Sequence, residues 1–178
     1  MSRAGAWLWL LLFLLWLWSQ GCAGVPNGDG FYSCDAVAGG DFDTQKPASL
    51  DREELNRMVR ISLDAATLTT DPRLRDPVEN CRKFWGYRVY TKPTENFMAP
   101  WDDKFEIGGF TSCTTRIVVV GTPPSGNWNN SALVHEFFHV MQVCEGIPPK
   151  DTYSPPDHHE NWYRDGLFAA IEWSRKQP

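Results

Sequence analysis

Histidine is scarce and crowded in this 178-residue chain, with four residues at positions 135, 139, 158 and 159. Long apolar runs are scarcer still. Only Trp7 to Trp18 is unbroken, and its twelve residues fall short of the roughly 20 needed to cross a bilayer, which excludes a polytopic membrane protein. No basic block is present, so charge gives no support to a nucleic-acid partner. Internal repeats are absent, and with them solenoid architectures. Nor is the chain poor in aromatic and branched aliphatic residues, which are spread along it and argue against disorder over most of its length.

The first 23 residues read as a secretory signal. Arg3 supplies the positive start, the Trp7–Trp18 run the apolar middle, and Gly21, Ala23 and Gly24 the small residues of a cleavage region. Four of the nine Trp lie in that segment, together with one of the 17 basic residues and none of the 22 acidic ones. The formal charge of −5 therefore becomes −6 in the remainder, ordinary for a secreted domain. About 155 residues are left, enough for one domain with a real core and too few for two.

Five cysteines are written, and Cys22 lies at the cleavage region. Cleavage after Ala23 removes it; cleavage before it makes it the first residue, open to lipidation as in bacterial lipoproteins. The run Ser19-Gln20-Gly21-Cys22 resembles that signal only in part, because Ser19 stands where an aliphatic residue is usual. A membrane association is expected only by that lipid. Cys34, Cys81, Cys113 and Cys144 remain in either case, and in an oxidising compartment four cysteines allow three pairings.

Residues 24–48, rich in Gly, Asp and Pro, read as a flexible N-terminal tether, and 49–178 as the folded domain. Asp51 with Glu54 three residues later resembles a capping box, and Leu55, Met58, Val59, Ser62, Leu63 and Ala66 recur at helical spacing. Asp71-Pro72 and Asp76-Pro77 read as turns. Strands are expected at Phe84–Tyr90, at Phe105–Ile107 ended by Gly108-Gly109, and at Thr114–Val120, the densest in β-branched residues. A second helix is expected from Ser131 to about Cys144, capped by Asn130 or Ser131, and a last one from about Asn161 to Lys176. The order predicts an α+β domain.

The second helix carries His135-Glu136-Phe137-Phe138-His139, an H-E-x-x-H motif. Residues four apart stack on one helical face, so both imidazoles can grip a single metal ion. Glu136, about 100° round the helix from His135, can instead reach a water on that ion and take its proton as general base. On a helical wheel Leu133, Phe137, Val140, Met141 and Cys144 share an arc of about 100°, whereas the histidines fall on the other side. The helix therefore has a core face and a separate histidine face. An exposed helix with two incidental histidines is the plainer reading, and the crowding of all four histidines within 25 residues weighs against it.

On these residues the chain resembles the zincin metallopeptidases. The layout is similar to small secreted bacterial proteins in which a further His, shortly before a Trp, follows the motif. The resemblance covers about residues 114–173 and implies Zn²⁺, a small mixed sheet packed against the metal helix, a C-terminal helix, and a strand beside the metal helix that pairs with an extended peptide. By that analogy Thr114–Val120 is the substrate-pairing strand.

A catalytic zinc site takes three protein ligands and keeps one position open. His135 and His139 supply two. His159 is the first candidate for the third. Asp165 competes, because Trp162-Tyr163-Arg164-Asp165-Gly166 looks like the W-x-x-E-G segment of gluzincins with Asp for Glu; His158 and Glu160 follow. If His159 binds, Asp165 can orient a ligand imidazole. Tyr153 and Tyr163 are the nearby hydroxyls able to face an oxyanion, though such tyrosines are more often packed. Asn129-Asn130-Ser131 matches a glycosylation sequon at the mouth of the helix, where a glycan would crowd the site, and reads as a cap.

The helical wheel also orders the cysteines. Cys144 lies on the core face and Cys113 precedes the strand that this face should cover, so Cys113–Cys144 and Cys34–Cys81 are the expected pairs. The sequence thus predicts a secreted or extracytoplasmic zinc metallopeptidase acting on a peptide or protein substrate. Its rival is a zinc-binding secreted or lipid-anchored surface protein without turnover. Neither cleavage preference nor oligomeric state is legible.

Overall fold

The computed structural model describes residues 34, 36–44, 46, 49–144 and 166–178. The chain runs through β1 (Val37–Asp41), α1 (Arg52–Thr67), a 3-10 turn (Pro72–Leu74), α2 (Pro77–Lys83), β2 (Arg88–Lys92), β3 (Phe97–Ala99), β4 (Asp102–Ile107), β5 (Gly109–Ser112) and β6 (Ile117–Gly121). A second 3-10 turn (Trp128–Asn130), α3 (Leu133–Phe138) with its π-helical continuation (His139–Val143), and α4 (Leu167–Ser174) complete it. It is an α+β fold with a small mixed sheet.

Asp51 caps α1 as expected, accepting the Glu54 amide at 2.8 Å. The Glu54 carboxylate does not return to the cap. It pairs with Arg57, whose guanidinium also reaches Asn129 Oδ1 at 2.7 Å and the carbonyl of Pro178 at 2.8 Å. Leu55, Met58, Val59, Leu63 and Ala66 are buried, as their spacing predicted. The two Asp-Pro pairs, read as turns, start short helices instead. Asp71 caps the first 3-10 turn and Asp76 caps α2. Proline suits the first helical position, where its fixed φ is already helical and its missing N–H is not needed.

Four strands form one sheet in the order β1-β2-β6-β5, and β3 with β4 makes a separate antiparallel ribbon. β1 and β2, and β2 and β6, pair in parallel, whereas β5 runs antiparallel to β6. Val89, Val118 and Val120 point to a core shared with α1, α3 and α4. The opposite face carries Tyr90 and Phe110, with Phe42 packed edge-on against both and Trp101 against Phe110. β1 is a strand where the Gly- and Asp-rich composition of 24–48 had indicated only a tether; its pairing with β2 supplies the order. The strand expected at Phe84–Tyr90 begins later, at Arg88, because Phe84 still closes α2.

Both expected cystines are present, Cys34–Cys81 and Cys113–Cys144. They point to an oxidising, extracytoplasmic environment. Among the described residues no helix is long and apolar enough to cross a membrane. The signal segment, Cys22 and most of the tether lie outside the described residues.

Candidate metal centre

The H-E-x-x-H helix is entered through Ser131, whose hydroxyl donates to the Trp128 carbonyl at 2.6 Å and accepts from the Leu133 amide at 3.1 Å. The cap position itself is Ala132, one residue beyond the expected cap. Asn129 is no glycan acceptor in this fold: it is buried, and its amide donates to the carbonyls of Gln177 at 2.5 Å and Ser174.

Leu133, Phe137, Val140 and Met141 enter the core, as the wheel placed them. The other side is not open, however. Val134, Phe138 and His139 are buried too, and His135 is half-buried. Hydrophobic periodicity finds the face that meets the core; it cannot foresee which neighbours cover the rest. The helix keeps α geometry through Phe138 and widens to a π turn at His139, closed by the Cys144 amide on the His139 carbonyl at 3.2 Å. Because the widening begins at His139, the preceding turn keeps the two histidines stacked. Lys83 of α2 donates to the Met141 carbonyl at 2.8 Å, satisfying an acceptor inside the widened stretch. Such π turns recur at functional sites.

His135, Glu136 and His139 form one cluster, with a ligand atom from each lying within 4.8 Å of the others. The two Nε2 atoms are 3.1 Å apart. Two imidazoles on a tetrahedral zinc ion with bonds of about 2.0–2.1 Å stand roughly 3.3 Å apart, so the pair fits one such ion. Glu136 is buried, and burial pushes its carboxyl up to about 8 against the opposing hydrogen bond from Thr111. The Thr111 hydroxyl donates to Glu136 Oε2 at 2.8 Å.

The H-E-x-x-H helix packs on both β5 and, as expected, β6 within Thr114–Val120, but Glu136 meets β5. Within that stretch β6 is flanked by β2 and β5 on its two sides and offers no free edge. β5 is the outer strand, and its Gly109 and Thr111 face the helix. A Cβ on Gly109 would stand 2.9 Å from Glu136 Cγ and 3.0 Å from the Val119 carbonyl, so only glycine fits there. Neither residue was singled out from sequence. Gly108-Gly109 read as the end of a strand, and the motif of alternating bulk that marks a strand is missing from Gly-Phe-Thr-Ser.

The four candidates for a third ligand, His158, His159, Glu160 and Asp165, lie outside the described residues, as do Tyr153 and Tyr163. The described chain stops at Cys144 and resumes at Gly166, and both ends touch the same core. Cys144 is bonded to Cys113, while Leu167, Ala170 and Ile171 of α4 are buried in the cluster that holds α3. No protein-family model, no curated protein and no solved structure matches the chain.

Proposed function

We propose that this protein is a secreted zinc-dependent metallopeptidase of zincin type, in which His135, His139 and His159 hold the metal and Glu136 is the general base. The observation that carries the reading is the joining of His135, Glu136 and His139 in one largely buried cluster against the outer strand of the sheet. A zinc ion held there supplies Lewis acidity, lowering the pKa of water to about 7 and polarising the scissile carbonyl.

The chain's own residues do the rest. Glu136, as the ionised carboxylate, takes a proton from the attacking water as the water oxygen bonds to the carbonyl carbon. The same carboxyl then passes the proton to the leaving nitrogen as the C–N bond breaks, giving a carboxylic acid and an amine, which ionise to carboxylate and ammonium. β5 runs antiparallel to β6 and has no strand on its other side among the described residues, so its outer edge can take an extended peptide by strand addition. That role moves from Thr114–Val120 to Gly109–Ser112.

Glu136→Gln should retain about one zinc per chain and lower kcat by about 100-fold or more. A variant that cleaves peptides as fast as wild type would overturn the mechanism. His159→Ala should lose most of the zinc; retention moves the third ligand to His158 or Asp165. A correctly oxidised wild type that takes up no zinc ends the reading. The adjacent pair His158-His159 favours one rival, a site closed by a fourth protein ligand that binds zinc without turnover. Wild-type zinc content without peptide hydrolysis is its signature.

A further inference from the structure

The Glu136 side chain lies across two residues of β5 that share a face, Gly109 and Thr111. Its two oxygens meet different surroundings. Oε2 accepts the Thr111 hydroxyl at 2.8 Å, whereas Oε1 lies over the Gly109 backbone, 3.1 Å from where a Cβ would stand. Thr111 is itself buried and sits on a strand locked to β6, and β-branching leaves its side chain few orientations.

We propose that Thr111 is the positioning residue for Glu136: its hydroxyl anchors Oε2 and leaves Oε1 as the atom that takes and returns the proton. The inference rests on the metallopeptidase reading for its catalytic part. A buried threonine hydroxyl needs an acceptor, and a plainly structural one was within reach, since the Glu136 carbonyl is 3.1 Å away. A hydroxyl has one proton to donate. The shorter contact is the one to the carboxylate, a charge-assisted bond once Glu136 is ionised. A carboxylate held at one oxygen cannot swing about its terminal torsion, which is otherwise broad. Small misplacement of a reacting group costs up to about 100-fold in rate.

Two variants and two readouts test this. Thr111→Val keeps the shape and removes the hydroxyl; Thr111→Ser keeps the hydroxyl. In crystals of the metal-free protein, Thr111→Val should show the Glu136 carboxylate rotated or in several conformers, and Thr111→Ser should show it as in wild type. A single wild-type conformer in the valine variant overturns the anchoring. On a peptide that wild type cleaves, Thr111→Val should lower kcat about 10- to 100-fold with KM and zinc content unchanged, and Thr111→Ser should restore most of the loss. Equal loss in both variants, or zinc lost with activity, would mean packing and not positioning. Should the valine variant not fold, Thr111→Ala takes its place in both arms. If wild type cleaves no peptide, the metallopeptidase reading fails while the crystals still decide whether Thr111 anchors Glu136.

Discussion

β1 and β5 are the outer strands of the four-stranded sheet, each lies within three residues of a cystine, and each carries a glycine pressed against a larger side chain. Gly39 is the extra residue of a bulge in β1, and a Cβ there would come within 2.6 Å of the Tyr90 ring. Gly109 in β5 makes the same kind of approach to Glu136. The resemblance ends with what is approached. Tyr90 is half-buried on the aromatic face, away from the helices, and its ring can yield. Glu136 is sealed between β5 and its own helix, and the second close neighbour of Gly109 is backbone. One edge therefore only closes the sheet, while the other is the wall of the candidate site.

Removing the cystines tests that difference with the largest effect. Replacing either pair by alanine should lower stability by about 2–4 kcal/mol in denaturant titrations, since both close loops of similar length. Only loss of Cys113–Cys144 should also abolish the proposed zinc binding, because it alone joins the end of β5 to the end of the H-E-x-x-H helix. Zinc kept by the Cys113→Ala/Cys144→Ala protein and lost by its Cys34→Ala/Cys81→Ala counterpart would reverse the assignment of the two edges.

Glycine substitutions probe the same contrast more finely. Gly109→Ala should cost about 1–3 kcal/mol, the usual range for overpacking, and depress hydrolysis by displacing Glu136. Gly39→Ala should cost about 1 kcal/mol or less, because a half-buried ring can move. Equal thermal shifts for the two would show that β5 is no more rigid than β1.

The smallest effect comes from behind the H-E-x-x-H helix. Asp71 accepts the Arg73 side chain and amide, which hold its carboxyl below the usual range, and it takes a further hydrogen bond from Gln142 in the π turn. A lowered folded-state pKa stabilises above the unfolded value of about 4, and the contribution is lost as pH falls through the folded value. Asp71→Asn keeps the cap and removes only the charge, so it should cost about 0.2–1 kcal/mol at pH 7, with the gap to wild type closing below about pH 4. A gap that persists at pH 2 would show that the charge is not what matters.

What was legible follows from what each pattern encodes. The H-E-x-x-H spacing and the wheel around it are local, so they located the helix that carries the His135-Glu136-His139 cluster, its core face and even the partner of Cys144. The outer strand beside Glu136 was missed for a physical reason. Density in β-branched residues marks a strand enclosed by neighbours, as Ile117–Gly121 is, whereas outer strands are short and poor in such residues. Gly109–Ser112 owes its strand geometry to β6 and to the glutamate beneath it, and β propensity yields to such context. The Asp-Pro pairs were ambiguous because one dipeptide serves both a turn and a helix start, and only the residues packed below, Leu74 and Cys81, decide between them.

The Cys34–Cys81 bond also bears on how the sheet is assembled. Along the backbone Val37 finds its parallel partner Arg88 about 50 residues later. Through the sulfurs the path is about ten residues, three from Val37 back to Cys34 and seven from Cys81 on to Arg88. By loop-closure scaling that shortening is worth about 1–1.5 kcal/mol of entropy in forming the β1–β2 pair. Parallel pairing over long separations is a slow step in folding. The cystine works as a splice, turning the most distant pairing in the sheet into a nearly local one.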